Sequence, residues 1–225
     1  LISISGVVIP GTLFFIAASK VPAGILSLSV AFVPMLTYVS SLYLKIETFS
    51  LLRISGVFLG FIAIFLLIGP PDSFADRSMV PWVLLAMICP ICYTFENVFI
   101  DIKKPIEVNS ITLALGSSAI TILILLPVVF YFELFIDIKY PFQKIEFSII
   151  ALGFITAVAY TLFIYLITNA GAVFASNVGY VVTISGVIWG IVLFQETHSY
   201  WVWLSLITMI IGLSLVSPRR KTKKY

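Results

Sequence analysis

Eight continuous apolar stretches, separated by charged and turn-forming residues, dominate this chain. They cover approximately 2–18, 23–44, 54–68, 80–100, 111–131, 147–167, 172–194 and 201–216. A helix crossing ~30 Å of hydrocarbon at ~1.5 Å per residue needs about 20 mostly apolar residues. The runs are unbroken, where the strands of a membrane barrel would alternate, so they read as helices. Only 10% of the 225 residues are charged, against roughly 25% in an ordinary soluble domain. So few charges cannot supply the polar exterior that a soluble fold requires. Cytosolic enzyme, secreted module and disordered tail are excluded. The expected fold is an all-α polytopic membrane protein, a helical bundle of about eight spans.

The net charge of +3 is too small to suggest a nucleic-acid partner. Its distribution is more informative, because Arg219, Arg220, Lys221, Lys223 and Lys224 close the chain. A basic run beside an apolar segment suits the anionic face of a bilayer. With that tail cytoplasmic, Lys45, Arg53, Lys103 and Lys104 fall on the same side. Lys20, Arg77, Lys139 and Lys144 fall on the other, so lysine and arginine divide nine to four. This predicts a cytoplasmic C-terminus. Trp82, Tyr200, Trp201 and Trp203 stand near span ends, where amphipathic rings favour the interface. The chain starts at Leu1 with no charged region before its first apolar run, so it does not read as a signal peptide.

Sliding the chain along itself by 149 residues brings eleven pairs of identical residues, named next, into register without a gap. Thr12-Leu13-Phe14 meets Thr161-Leu162-Phe163, Ala23 meets Ala172, Ser27 meets Ser176 and Leu44 meets Leu193. Glu47-Thr48 meets Glu196-Thr197, Ser50 meets Ser199, Ile62 meets Ile211 and Leu66 meets Leu215. The second span then maps onto the seventh, an odd number of crossings later, so the copies stand upside down relative to each other. Inverted repeats are a common plan of secondary transporters, with the substrate held near the midplane between them. The fourth span, beginning near Val80, opens the second copy. Its counterpart would begin about seventy residues before Leu1, which implies a ten-helix parent lacking two helices here. The expected organisation is residues 1–70 as the last three helices of one repeat, 79–217 as a five-helix second repeat, and 218–225 as a basic cytoplasmic tail.

The end of each half carries a family likeness. Ala18-Ser-Lys-Val-Pro-Ala-Gly24 enters a helix containing Pro34, followed by Lys45-Ile-Glu47-Thr-Phe-Ser and by Gly56. Asn169-Ala-Gly-Ala172 enters a helix, followed by Gln195-Glu196-Thr-His-Ser and by Gly212. This resembles the EamA-type members of the drug/metabolite transporter superfamily. Each half keeps one of the two glycines expected after the glutamate, with Ser205 and Ala63 at the other positions. Ile46 and Gln195 stand where a glycine usually precedes the glutamate. The resemblance implies a multi-pass protein of a bacterial inner (plasma) membrane, a monomer or homodimer. It also implies transport of a small organic metabolite or drug-like solute, with export the commoner role.

Glu96 is the residue most able to carry chemistry. A carboxylate in the hydrocarbon region costs ~2.5–3.5 kcal/mol or more. It either lines the translocation path, taking a proton or meeting a cationic group, or reaches to the interface beside Asn97. Ser176, Tyr180 and Thr183 recur at helical spacing with Asn177 adjacent. That face either lines a cavity or supplies interhelical hydrogen bonds. Gly186 and Gly190 form a small-xxx-small pair, read as close packing. Trp189 either stacks on a ligand or meets lipid and neighbouring helices. Tyr38 on the second span and Tyr160 on the sixth complete the candidate substrate-binding set, and a polar pocket is expected among the second, sixth and seventh spans.

Pro10, Pro34 and Pro90 are expected to kink their helices. Glu47 and Glu196 read as structural acids near the N-terminus of the following helix. His198 is expected in a loop, in water. Cys89 and Cys92 form a C-x-x-C string in an apolar helix without a basic neighbour, so no metal or redox role is expected. No nucleophile cluster, zinc spacing or phosphate-binding loop is present, and no cofactor is expected. The expected function is alternating-access secondary transport of a small molecule across the lipid bilayer, with the proton as a candidate coupling ion. An intramembrane lipid-modifying enzyme would need clustered acid, base or metal ligands at one face. A non-transporting membrane scaffold would need no midplane cavity.

Overall fold

A computed structural model describes residues 1–74, 76–103, 108–135 and 144–216. The apolar runs form helices α1 (Ile4–Ala18), α2 (Ala23–Tyr43), α3 (Leu51–Ile68) and α4 (Arg77–Lys103). Then follow α5 (Ser110–Tyr131), α6 (Lys144–Ala170), α7 (Ala172–Phe194) and α8 (Tyr200–Val216). Among the described residues there is no strand, and the protein is an all-α polytopic membrane protein. Six of these helices are long and apolar enough to cross a bilayer, while α1 and α8 are shorter. The basic tail, Lys104, Asp137 and Lys139 lie outside the described residues.

The helices extend past their apolar runs where a cap or a charge marks the end. Asn109 accepts the Thr112 N–H at 2.7 Å and starts α5, satisfying a donor that a helix start leaves free. Asp76 caps the short turn Arg77–Met79 by accepting from Ser78 N–H at 2.8 Å. The prolines sit where the helices change course. Pro10 follows a π-helical turn at Ile4–Val8, Pro34 follows a break at residues 31–32, and Pro90 follows one at Met87. Each ring removes a backbone donor, so the preceding turn loses a helical bond. Pro127 lies inside α5 as well.

Two helix pairs hold the bundle. The α3–α8 contact is the most extensive among the described residues, and it closes on glycine. A Cβ on Gly212 would stand 2.7 Å from the Gly56 carbonyl oxygen, and one on Gly56 would overlap that of Gly212. Ser205 donates to the Ala63 carbonyl at 2.7 Å on the same seam. Moving 149 residues turns Gly56 into Ser205 and carries Ala63 onto Gly212, so these two contacts exchange under the sequence offset. The start of α2 packs against α7 through a reciprocal pair. Ser27 Oγ donates to the Thr183 carbonyl and Thr183 Oγ1 to the Ser27 carbonyl, each at 3.1 Å. Gly186 admits Ser27 where a Cβ would collide with it.

By contrast α5 and α6 are covered by little of the protein and expose large apolar side chains along their length, including Leu123, Phe154 and Leu162. Their backbone polar groups are satisfied within the helix, so hydrocarbon can cover such faces at no hydrogen-bonding cost.

Candidate functional site

Four helices converge on Glu96. The second half of α4 carries it, with its neighbours Thr94, Asn97 and Val98 also buried. Glu96 is 2% exposed, so it turns into the bundle and not toward the interface. Tyr160 of α6 donates its hydroxyl to Glu96 Oε1 at 2.5 Å. Ser117 of α5 lies 3.3 Å from the Tyr160 hydroxyl and extends the chain of polar groups. Gly6 of α1 completes the pocket, since a Cβ there would overlap the Glu96 carboxyl group. Gly6 sits within the π-helical turn Ile4–Val8, a local widening that often accompanies functional positions.

The next residue, Asn97, is 0% exposed, and neither its amide oxygen nor its amide nitrogen has a hydrogen-bond partner among the described residues. Asn177, at the break in α7, has its side-chain oxygen buried in the same condition. An orphaned buried amide costs about 1–3 kcal/mol, so a protein keeps one where something else satisfies it. The arrangement offers a carboxylate held by a phenol, and amide groups with free donor and acceptor capacity. Such groups bind a polar solute or hold and release a proton.

The other candidates divide. Thr183 is spent on Ser27 and therefore joins helices. Ser176 Oγ bonds back to the Val173 carbonyl at 2.9 Å. Tyr180 packs against the buried cluster around Met35 and Met209. Tyr38 is fully buried, but its hydroxyl donates to the Thr48 carbonyl at 3.1 Å and accepts the Ser50 N–H at 3.0 Å. It braces the α2–α3 loop, far in role from a solute. Trp189 is 55% exposed. A groove of about 600 Å³ does open between the second halves of α2 and α4. It is lined mainly by apolar residues such as Leu36, Phe95 and Phe99, with Ser40, Thr94 and Lys103 among them, so it is not the polar pocket expected among the second, sixth and seventh spans.

Two expectations are corrected by tertiary contacts. His198 lies in the α7–α8 loop, yet its side chain is 1% exposed and stands 3.4 Å from Glu196, so it is not in water. Glu196 does not serve the helix that follows it. It reaches across to α2, accepting Ala23 N–H at 2.6 Å and Gly24 N–H at 3.0 Å. Glu47, by contrast, pairs at 3.0 Å with Arg53 in the first turn of the helix that follows it. Ser117 and Gly6 were missed by sequence reasoning. Gly6 stands in an apolar run and Ser117 beside Ser118, with nothing local to mark either. Cys89 and Cys92 are free thiols.

The fold is that of an all-α polytopic membrane protein, and comparison with known families narrows the class. The family model of the EamA-like transporter family matches residues 80–217, from the first α-helical turn of α4 to just past α8. The chain belongs to the EamA-like transporter family. A comparison with curated proteins found no match.

Proposed function

We propose that this protein is a secondary transporter that moves a small organic solute by alternating access, with Glu96, Tyr160 and Asn97 at the solute or proton site. The observation that carries this reading is the buried Glu96 carboxylate on Tyr160. A bundle held together by apolar packing has no structural need for a carboxylate at that depth, and membrane proteins keep such groups mainly where ions or substrates pass. Asn177 stands at the break in α7, with its side-chain oxygen buried. Interrupted helices in transporters free backbone and side-chain groups for ligands.

The division into inverted copies, 1–70 and 79–217, is supported by the exchange of contacts under the 149-residue offset at Gly56, Gly212, Ser205 and Ala63. Alternating access follows, because inverted copies can trade conformations around a fixed site. Export is the direction implied by the family resemblance. The basic tail argues for a cytoplasmic C-terminus, and a bacterial inner membrane is the setting the resemblance implies. The proton is the coupling ion that a buried carboxylate most directly serves.

The test is flux in proteoliposomes across amino acids, nucleosides, sugars and organic cations, with and without an imposed pH gradient. Glu96→Gln keeps the hydrogen-bonding shape but cannot ionise. It is expected to abolish the dependence of flux on the gradient, and Tyr160→Phe to weaken transport about tenfold through loss of the short hydrogen bond. Coupling unchanged in Glu96→Gln would overturn the assignment.

A further inference from the structure

The two helix-end carboxylates have chemically equal opportunities and use them differently. On the face formed by the α1–α2 and α7–α8 connections, both Glu196 oxygens are engaged by the start of α2, at Ala23 and Gly24. Gly24 and Gly190 make the approach possible, since a Cβ on either would stand 2.9 Å or less from Glu196 Oε2. A helix start carries free N–H groups and partial positive charge, so this is a firm closure.

On the opposite face the offset of 149 pairs Glu47 with the start of α7 at Ala172. There the Ala172 N–H goes instead to Asp101 Oδ2, at 3.1 Å. Glu47 is held by Arg53, whose guanidinium stacks 5.1 Å over the Tyr38 ring. Tyr38 is in turn fixed to the loop carrying Glu47 through Thr48 and Ser50. Arg53 has no counterpart in the second copy, where Val202 stands at that position. One carboxylate is latched and its twin is parked.

From this we infer that Glu196 and Glu47 are alternating latches for the two membrane faces. In the state described here Glu196 closes its face onto α2. In the opposite state Glu47 leaves Arg53 and caps α7 at Ala172, displacing Asp101, while Glu196 releases α2. Inverted copies generate the second state by exchanging conformations, so the contact made by the end of α7 passes to the end of α2. The inference rests on the alternating-access reading above and assigns the gate within it.

The experiment uses spin-label pairs in the full chain carrying Cys89→Ala and Cys92→Ala. Lys20→Cys with Phe194→Cys reports the Glu196 face, and Tyr43→Cys with Asn169→Cys the Glu47 face. Glu196→Ala is expected to lengthen the first distance and shorten the second, changing the ratio of the two populations about fivefold, as expected for a lost helix cap. Arg53→Ala frees Glu47 and shifts both distances in the same direction. Glu47→Ala shifts them the opposite way. These two changes fall on a partly exposed pair, so they remain informative if Glu196→Ala fails to fold.

Identical shifts from Glu47→Ala and Arg53→Ala would mean that the acid serves only its arginine, and would overturn the inference. Unmoved distances in Glu196→Ala would do the same. The measurement needs no solute. Predicted shifts without flux sustain the latches and refute the transport reading, whereas flux with unmoved distances refutes the latches alone.

Discussion

The backbones of Gly56 and Gly212 touch, with the Gly56 carbonyl 2.7 Å from where a Cβ on Gly212 would stand. The seam between α3 and α8 therefore has no room for a side chain at its crossing point. Gly56→Leu and Gly212→Leu should each destabilise the protein by about 1–3 kcal/mol, the usual cost of overpacking. The heat-unfolding midpoint in detergent measures this. Gly116, with nothing within 4 Å of its Cβ position, is the control. Gly116→Ala should be neutral or stabilising by up to about 1 kcal/mol, from helix propensity alone.

Gln195 ends α7 in the left-handed region, at φ 53°. Its N–H goes to the Ile191 carbonyl at 3.0 Å, and that of Glu196 to Gly190 at 3.2 Å. This is the turn at which helices commonly place glycine, and it aims Glu196 back at α2. Gln195→Gly should raise stability by about 1 kcal/mol by relieving the left-handed strain. An unchanged or lowered unfolding midpoint would contradict that account of the turn.

Burial holds the His198 imidazole below its ordinary pKa, and the Glu196 carboxylate pulls it partly back. Trp203 faces the same ring edge-on, at 6.3 Å. A histidine whose folded pKa is lowered binds its proton more readily when unfolded. Its contribution to stability is therefore complete above about pH 6.5, the unfolded value, and is lost as the pH falls below it. The unfolding midpoint should drop between pH 6.5 and 5, more steeply than in His198→Gln. Equal slopes in the two proteins would exclude His198 as the cause.

Ser205 joins α8 to α3 through the Ala63 carbonyl. Interhelical hydrogen bonds in membranes average about 0.6 kcal/mol. Ser205→Ala should cost about that much, clearly less than either glycine replacement. A loss of several kcal/mol would show that the hydroxyl, and not the glycine contact, holds the seam.

The helices and their approximate limits were legible because each is a continuous apolar run, six of them of spanning length, a property local to the sequence. The glycine seam was legible only in part. Gly56 and Gly212 stood out by their spacing from Glu47 and Glu196, while their mutual contact depends on how the helices cross. Polar residues were hardest to assign. In so apolar a chain Thr183 and Asn97 look equally notable, yet the first is consumed by Ser27 and the second has no partner among the described residues. Glu96 was recognisable from its cost, whereas Tyr160's bond to it spans 64 residues of sequence. Glu196 finds its partners 173 and 172 residues away. Such pairings are products of the assembled bundle, and no local pattern encodes them.

The account depends most on the two halves standing in opposite orientations across the membrane. Single cysteines at Lys45 and at Gln195, in a chain with Cys89 and Cys92 replaced by alanine, report this through a membrane-impermeant maleimide. Vesicles of known sidedness should label the two positions from opposite faces. Labelling of both from the same face would contradict the inverted arrangement and remove the basis for alternating access.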